Sequence, residues 1–352
     1  MNQNVLGPTI RDAQLESALE PLTLLWNRIL HRENLGADDD FFREGGTPLH
    51  AIELFRAIGE TWRSEIAPET IYLAPTINSL SAILNQSQPA SIPAALLMNR
   101  ETRGIPIFVA PGIGGSIMEF FHVVQHLQID HPVYGLQPPG LNQGEVPLDS
   151  VEDFASRYIA AIGSLQPHGP YYLIGCSFGG LVMLEVARRL LQRGENIGMF
   201  VMLDSYPDLR FVPVIQRALV FGRRLRRRSV RALQRVFGTL TPVLVRRQRG
   251  TDNDISVLRT VPRITERAFV ALAQYRPRPY HGTVKFVRSA KKTVFPASPH
   301  AVWGKLIHNL EIETVNGDHV AMITKYAAPL ALLLSGYLRE AFGEDKYRSQ
   351  IA

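Results

Sequence analysis

Residues 171–180 read Tyr-Tyr-Leu-Ile-Gly-Cys-Ser-Phe-Gly-Gly. A short apolar run of strand character meets Gly175-Cys176-Ser177-Phe178-Gly179, and a stretch of helical character follows from Leu181. A G-x-S-x-G spacing with a strand before it and a helix after it is a nucleophile elbow. The sharp turn holds its central residue in a strained backbone conformation and leaves no room for neighbouring Cβ atoms, which is why glycines flank the serine. Ser177 is therefore expected at the rim of a sheet with its hydroxyl presented outward. The competing reading is a serine in an ordinary strand-to-helix turn; both flanks favour the elbow.

A serine hydroxyl is a weak nucleophile until a base takes its proton, and in folds built on such an elbow the histidine comes after the acid in chain order. Downstream stand His281, His300, His308 and His319. Only His319 sits in a Gly317-Asp318-His319 turn, between a strand-like run from Leu310 to Val315 and an apolar helical stretch expected near Val320. His319 is the expected base. The orienting carboxylate must follow one of the strands after the elbow helix. The strand Thr283 to Ser289 is followed by no acid until Glu311, whereas the strand Gly198 to Leu203 ends directly in Asp204-Ser205-Tyr206-Pro207. Asp204 is the expected acid, because active-site loops of open α/β sheets gather at the carboxyl ends of strands. Asp318, adjacent to the base, reads as loop-shaping.

Acyl transfer also needs donors for the developing oxyanion. The backbone N–H of Phe178 is one. The other is expected from Ile113, in Pro111-Gly112-Ile113-Gly114-Gly115 after the strand Ile105 to Ala110. The same loop could cradle a phosphate, but it lacks the Lys-Ser/Thr of a P-loop and the G-x-G-x-x-G spacing.

Together with Val133-Tyr134-Gly135-Leu136-Gln137-Pro138-Pro139-Gly140, these motifs make residues from about Ile105 to Leu338 resemble the type I thioesterase domains that terminate nonribosomal peptide and polyketide assembly lines. The resemblance implies an α/β-hydrolase fold, a mostly parallel sheet with a helical lid insertion at about 208–275, over residues 102–345. It implies transfer of an acyl chain from a phosphopantetheine thioester onto Ser177, then release to water or to an internal nucleophile. Acyl transfer to another acceptor and a non-catalytic docking role in an assembly line are the alternatives.

Residues 14–86 resemble a peptidyl carrier domain, a small helical bundle, through a helical stretch around Leu22 to Leu30, Asp39-Asp40-Phe41-Phe42-Arg43-Glu44-Gly45-Gly46-Thr47-Pro48-Leu49, and Ala74-Pro75-Thr76-Ile77. In working carriers the central motif ends Gly-Gly-Asp-Ser-Leu, and its serine accepts phosphopantetheine; here that position is Pro48 and Thr47 lies one residue early. Proline suits the first position of a helix and threonine suits its cap. The resemblance implies the carrier fold, and the departure at Pro48 implies a module without a covalent cofactor that serves for docking or spacing, so that substrate arrives on the phosphopantetheine of another carrier or synthetase, or as a CoA-type thioester. Modification of Thr47 is the alternative.

A chain of 352 residues with 45% hydrophobic content accommodates one small and one large domain. Between them, 87–101 reads as a linker, although Ala94-Ala95-Leu96-Leu97-Met98 could pack on the larger domain. The single cysteine, Cys176, permits no internal disulfide, as expected in a reducing compartment, and reads as a small buried residue within the elbow. Asp12, Glu16 and Glu20 come too early for a signal peptide, and Tyr326 to Leu338 is too short to span a membrane; a cytoplasmic location is expected. No His/Cys/Asp grouping has metal-ligand spacing.

Residues 1–90 hold 6 Arg against 12 Asp or Glu, while Leu209 to Gly250 holds 12 Arg and no acid, centred on Arg223-Arg224-Leu225-Arg226-Arg227-Arg228. Interleaved Ile215, Leu219, Leu225, Leu233 and Phe237 suit an amphipathic lid helix. The arginines read as a solvated face, as a docking surface for an acidic carrier, or as a contact for nucleic acid or anionic membrane. Without an aromatic stacking platform or a recognised nucleic-acid fold, nucleic acid is not expected.

Overall fold

Strands buried on both faces read as unbroken apolar runs, and helices laid over them bury one stripe. The chain alternates such segments in the described residues of its computed structural model, which are 10–62, 66–86, 91–142, 144–212, 214, 256–291 and 298–343. The elements are α1 (Ile10–Leu30), α2 (Pro48–Trp62), α3 (Ile77–Leu84), β1 (Ala95–Leu97), β2 (Ile107–Ala110), α4 (Phe121–His126), β3 (Val133–Leu136), α5 (Val151–Leu165), β4 (Tyr171–Cys176) and α6 (Phe178–Gln192). There follow β5 (Ile197–Leu203), α7 (Ser256–Gln274), β6 (Tyr280–Ser289), α8 (Pro299–Trp303), β7 (Ile307–Val315) and α9 (Ala327–Phe342). The strands form one sheet in the order β1-β3-β2-β4-β5-β6-β7, parallel except for β1.

Every residue of β2 and of β4 is buried, as central strands covered on both sides require. One face carries α5, α6, α7 and α8, which contribute Phe154, Leu181, Ala268 and Trp303 to a shared core. The other carries α4 and α9 through Val123, Val124, Leu330 and Leu334. In α5 the buried positions Val151, Phe154, Ala155, Tyr158, Ile159 and Ile162 recur at helical spacing, and Ser150 Oγ caps the helix by accepting the Asp153 N–H at 3.1 Å. This is the expected α/β architecture.

The N-terminal helices α1, α2 and α3 enclose a separate core of Leu22, Trp26, Phe41, Leu54, Phe55, Ile58 and Ile71. Its Gly-Gly pair is sterically dictated: Gly45 has φ +90°, and a Cβ on Gly46 would collide with the Phe41 ring. Thr47 Oγ1 accepts the His50 N–H at 3.3 Å, capping α2 with Pro48 at its first position. This core leans on the sheet domain. Phe42 stacks near Phe121 with ring centroids 5.3 Å apart, Met118 is buried within the helical core, Ser116 Oγ donates to Glu69 Oε1 at 2.7 Å, and Arg100 pairs with Asp40 at 2.9 Å.

Several boundaries differ from expectation. Within the tract 87–101 read as a linker, Ala95–Leu97 is a strand antiparallel to β3, because Leu96 finds full burial there beside Ile117. The helix expected near Val320 begins at Ala327, since residues 319–326 are held in turns by Asp318, whose Oδ1 accepts the Ala321 N–H at 3.0 Å. β6 and β7 begin earlier than expected, at Tyr280 and Ile307, and α6 begins at Phe178 rather than Leu181. Of the expected lid, α7 is described, whereas the arginine run Arg223 to Arg228 and its interleaved apolar residues lie outside the described residues.

Candidate active site

Because β4, β5, β6 and β7 are parallel, their carboxyl ends share one edge, and the residues that follow them meet there. Ser177 follows β4 with φ +54° and ψ −117°, a conformation that costs a non-glycine residue of order 1–3 kcal/mol and persists only when its surroundings enforce it. The enforcement is visible. Ser177 N–H donates to Leu203 O at 2.9 Å, a Cβ on Gly175 would lie 2.5 Å from Gly180 Cα, and one on Gly179 would collide with the carbonyl oxygens of Ala110 and Pro111. The elbow is thus clamped between β2, α6 and the end of β5.

Asp204 follows β5, also at positive φ (+47°), and is 2% exposed. A buried carboxylate needs partners. Its Oδ2 is 3.0 Å from His319 Nδ1 and accepts from Ser289 Oγ at 2.8 Å, and its Oδ1 accepts from Ser289 N–H at 3.3 Å. With Nδ1–H committed to the carboxylate, Nε2 is left as the basic nitrogen of the neutral ring. His319 stands in the loop after β7, where Gly317 adopts φ +101° and a Cβ there would lie 2.7 Å from the Tyr326 ring. The structure therefore brings His319 and Asp204 into contact and sets Ser177 on the neighbouring strand end, bonded to the residue preceding Asp204. The carboxylate of Asp318 is engaged with the turn amide of Ala321.

Ile113 and Phe178 line one narrow cleft together with Gly112, Gly179, Ile264 and Ala268. The last two come from α7, which forms one wall. The Phe178 amide is in the first turn of α6, where N–H groups have no intrahelical acceptor and the helix dipole favours negative charge.

Cys176 is buried, and that burial, followed by the charges of Glu119 and Asp204, raises its thiol well above the ordinary range, which makes it a poor nucleophile. Two residues at the site escaped the sequence reading. Ser289 braces Asp204 from the end of β6 and carries no motif. Glu119 accepts the Gly112 N–H beneath the cleft; burial pushes its carboxyl up to about 7, against the pull of the Gly112 N–H and of His319. Its signal was present in Ser116-Ile117-Met118-Glu119, the S-x-x-E spacing of a capping box, but the carboxyl reaches Gly112. Among the described residues no group of three or more His, Cys, Asp or Glu could hold a metal ion, and no helix is long and apolar enough to cross a membrane.

Comparison with known proteins matches residues 105–333 to the thioesterase domain family and residues 20–84 to the phosphopantetheine attachment site family. The chain is 35% identical over 196 residues to a dimodular nonribosomal peptide synthase of Bacillus subtilis and 32% identical over 187 residues to an indigoidine synthase of Dickeya dadantii. These alignments take in 55% and 53% of the chain, and only 8% and 13% of the relatives. A malpibaldin synthetase of Mortierella alpina is 28% identical over 84% of the chain and 5% of its own length. Among solved structures, the four-domain nonribosomal peptide synthetase AB3403 superposes with a TM-score of 0.56 at 21% identity, over 97% of this chain and 27% of its own. The type II thioesterase YbtT superposes with a TM-score of 0.51 at 18% identity, over 71% of this chain and 99% of its own, which establishes the shared fold.

Proposed function

This chain belongs to the thioesterase domain family, and from that premise we propose that it releases acyl, peptidyl or polyketide chains from phosphopantetheine thioesters through an acyl-enzyme on Ser177, in secondary-metabolite biosynthesis. The observation that carries the reading is the 3.0 Å contact of His319 Nδ1 with buried Asp204, on the same sheet edge as the strained Ser177.

Ser177 Oγ attacks the thioester carbonyl carbon as His319 Nε2 takes its proton. Asp204 holds the ring in the required tautomer and stabilises the imidazolium. The carbonyl oxygen becomes an oxyanion that accepts from the amides of Ile113 and Phe178, each such donor contributing about 3 kcal/mol. Collapse breaks the carbon–sulfur bond, and the departing thiolate takes the proton from His319. Water, or a nucleophile carried on the acyl chain, then gives its proton to His319 and attacks the ester carbonyl; collapse breaks the bond to Ser177 Oγ, which takes that proton back from His319. A fluorophosphonate probe tests this: the wild type is expected to label, and Ser177→Ala to remain unlabelled while folding normally. An unlabelled wild type would refute it.

A phosphopantetheine arm on the N-terminal module, residues 14–86, does not fit the residues present. Pro48 offers no hydroxyl at the attachment position, and Thr47 Oγ1 is engaged in capping α2. We therefore assign the module a bracing role, supported by the burial of Met118 in its core and the Glu69–Ser116 hydrogen bond. Substrate then arrives on a separate carrier or synthetase, or as a CoA-type thioester. Incubation with coenzyme A and a broad phosphopantetheinyl transferase should leave the mass unchanged; a gain of one pantetheine arm mapped to Thr47 would overturn the assignment.

A further inference from the structure

Resting on the acyl-enzyme chemistry above, we propose that Glu119 is a positioning residue whose carboxyl holds the Gly112 N–H and thereby sets the direction of the Ile113 amide toward the developing oxyanion. Glu119 lies in the short helical turn Ile117–Phe120, whose Ile117, Met118 and Phe120 are all buried, so its backbone is anchored on both sides. Ser116, which caps that turn by accepting the Met118 N–H, is itself fastened to Glu69 of the N-terminal module. From this fixed base the Glu119 carboxyl accepts the Gly112 N–H.

Gly112 is the first residue of the loop that matters. Its carbonyl accepts the Gly115 N–H at 3.0 Å, closing a turn with Ile113 and Gly114 at its centre. Glu119 thus holds the Pro111–Gly112 peptide plane and the turn bond holds the Gly112–Ile113 plane that carries the Ile113 N–H, so that only the two backbone torsions of Gly112 separate the carboxyl's anchor from that amide. A Cβ built on Gly112 would lie 3.4 Å from both Glu119 carboxyl oxygens and 3.6 Å from Ser177 Cβ, so the carboxyl and the nucleophile bear on the same glycine. A carboxyl taken out of water at such a place is unfavourable, and it is at reaction centres that such perturbed groups collect. The charge of His319, from the loop after β7, acts on this carboxyl, and the carboxyl's own charge in turn raises the Tyr158 hydroxyl of α5 and the Cys176 thiol at the end of β4.

Two substitutions separate reach from charge. Glu119→Gln keeps an acceptor of the same length without the charge; Glu119→Asp keeps the charge and withdraws the acceptor by one methylene. The readout is the second-order rate of fluorophosphonate labelling at pH 8, in which Ser177 Oγ bonds to phosphorus, fluoride leaves and the phosphoryl oxygen occupies the oxyanion site. Glu119→Gln is expected to be slower by about 3-fold and Glu119→Asp by about 10-fold or more, the range of one hydrogen bond. Thermal midpoints taken alongside should not follow that order, because a merely structural role would slow labelling only as far as it loosened the fold. A labelled wild type with Glu119→Asp reacting as fast as Glu119→Gln overturns the inference alone. A wild type that does not label overturns it together with the proposed function.

Discussion

Replacing Glu119 by glutamine should make the protein more stable at alkaline than at acidic pH relative to the wild type. Burial raises this carboxyl from 4.5 to about 7. A carboxyl with a raised folded-state value binds a proton more tightly folded than unfolded. Its contribution to stability is complete below pH 4.5 and is lost as pH climbs to about 7. The shift corresponds to about 3 kcal/mol, of which about 2–3 kcal/mol falls between pH 5 and pH 8. Glutamine does not titrate, so the stability of Glu119→Gln minus that of the wild type should rise by that amount across the interval. Urea unfolding followed through the fluorescence of the fully buried Trp26 and Trp303 measures it at both pH values. A difference that stays level, or that falls as pH rises, would refute both the burial argument and its sign.

Asp204→Asn should reduce kcat on an acyl thioester by about 10⁴-fold with little change in folding, because an amide at Oδ2 faces the His319 ring and favours the wrong tautomer. Gly179→Ala should destabilise the fold by about 3 kcal/mol or more, since a Cβ would collide with the carbonyl oxygens of Ala110 and Pro111, neither of which can move without shifting β2; thermal denaturation reads this out. Glu185→Ala should cost about 3–5 kcal/mol in urea titrations, because Glu185 is 1% exposed and its loss strands Arg188 and Arg189, each paired with it at 2.7 Å.

The elements legible in the sequence were those whose geometry leaves a chemical fingerprint. Gly175 and Gly179 are required by close backbone approach, Asp204 stands directly after an apolar strand and His319 in a Gly-Asp-His turn, so each could be located from its neighbours alone. Glu119 could not, because its partner is a backbone N–H brought close by the fold, and a backbone group has no sequence identity. Ser289 was hidden for a different reason: no local motif marks it, and its value lies in pairing with a carboxylate 85 positions away. The β1 strand was obscured by its length, too short for alternation to show. The turn at 319–326 misled because Val320, Met322 and Ile323 are apolar at helical spacing, yet the capping bond of Asp318 closes the chain into turns first.

The strand Ala95–Leu97 bears on how the two halves of this chain can be handled. It is supplied by the stretch that joins them and covers the outer side of Val133–Leu136, whose backbone would otherwise be open to any extended peptide that passed. A fragment cut at residue 102 would carry that raw margin into solution and should self-associate, whereas one beginning just ahead of Ile92 would keep it sealed.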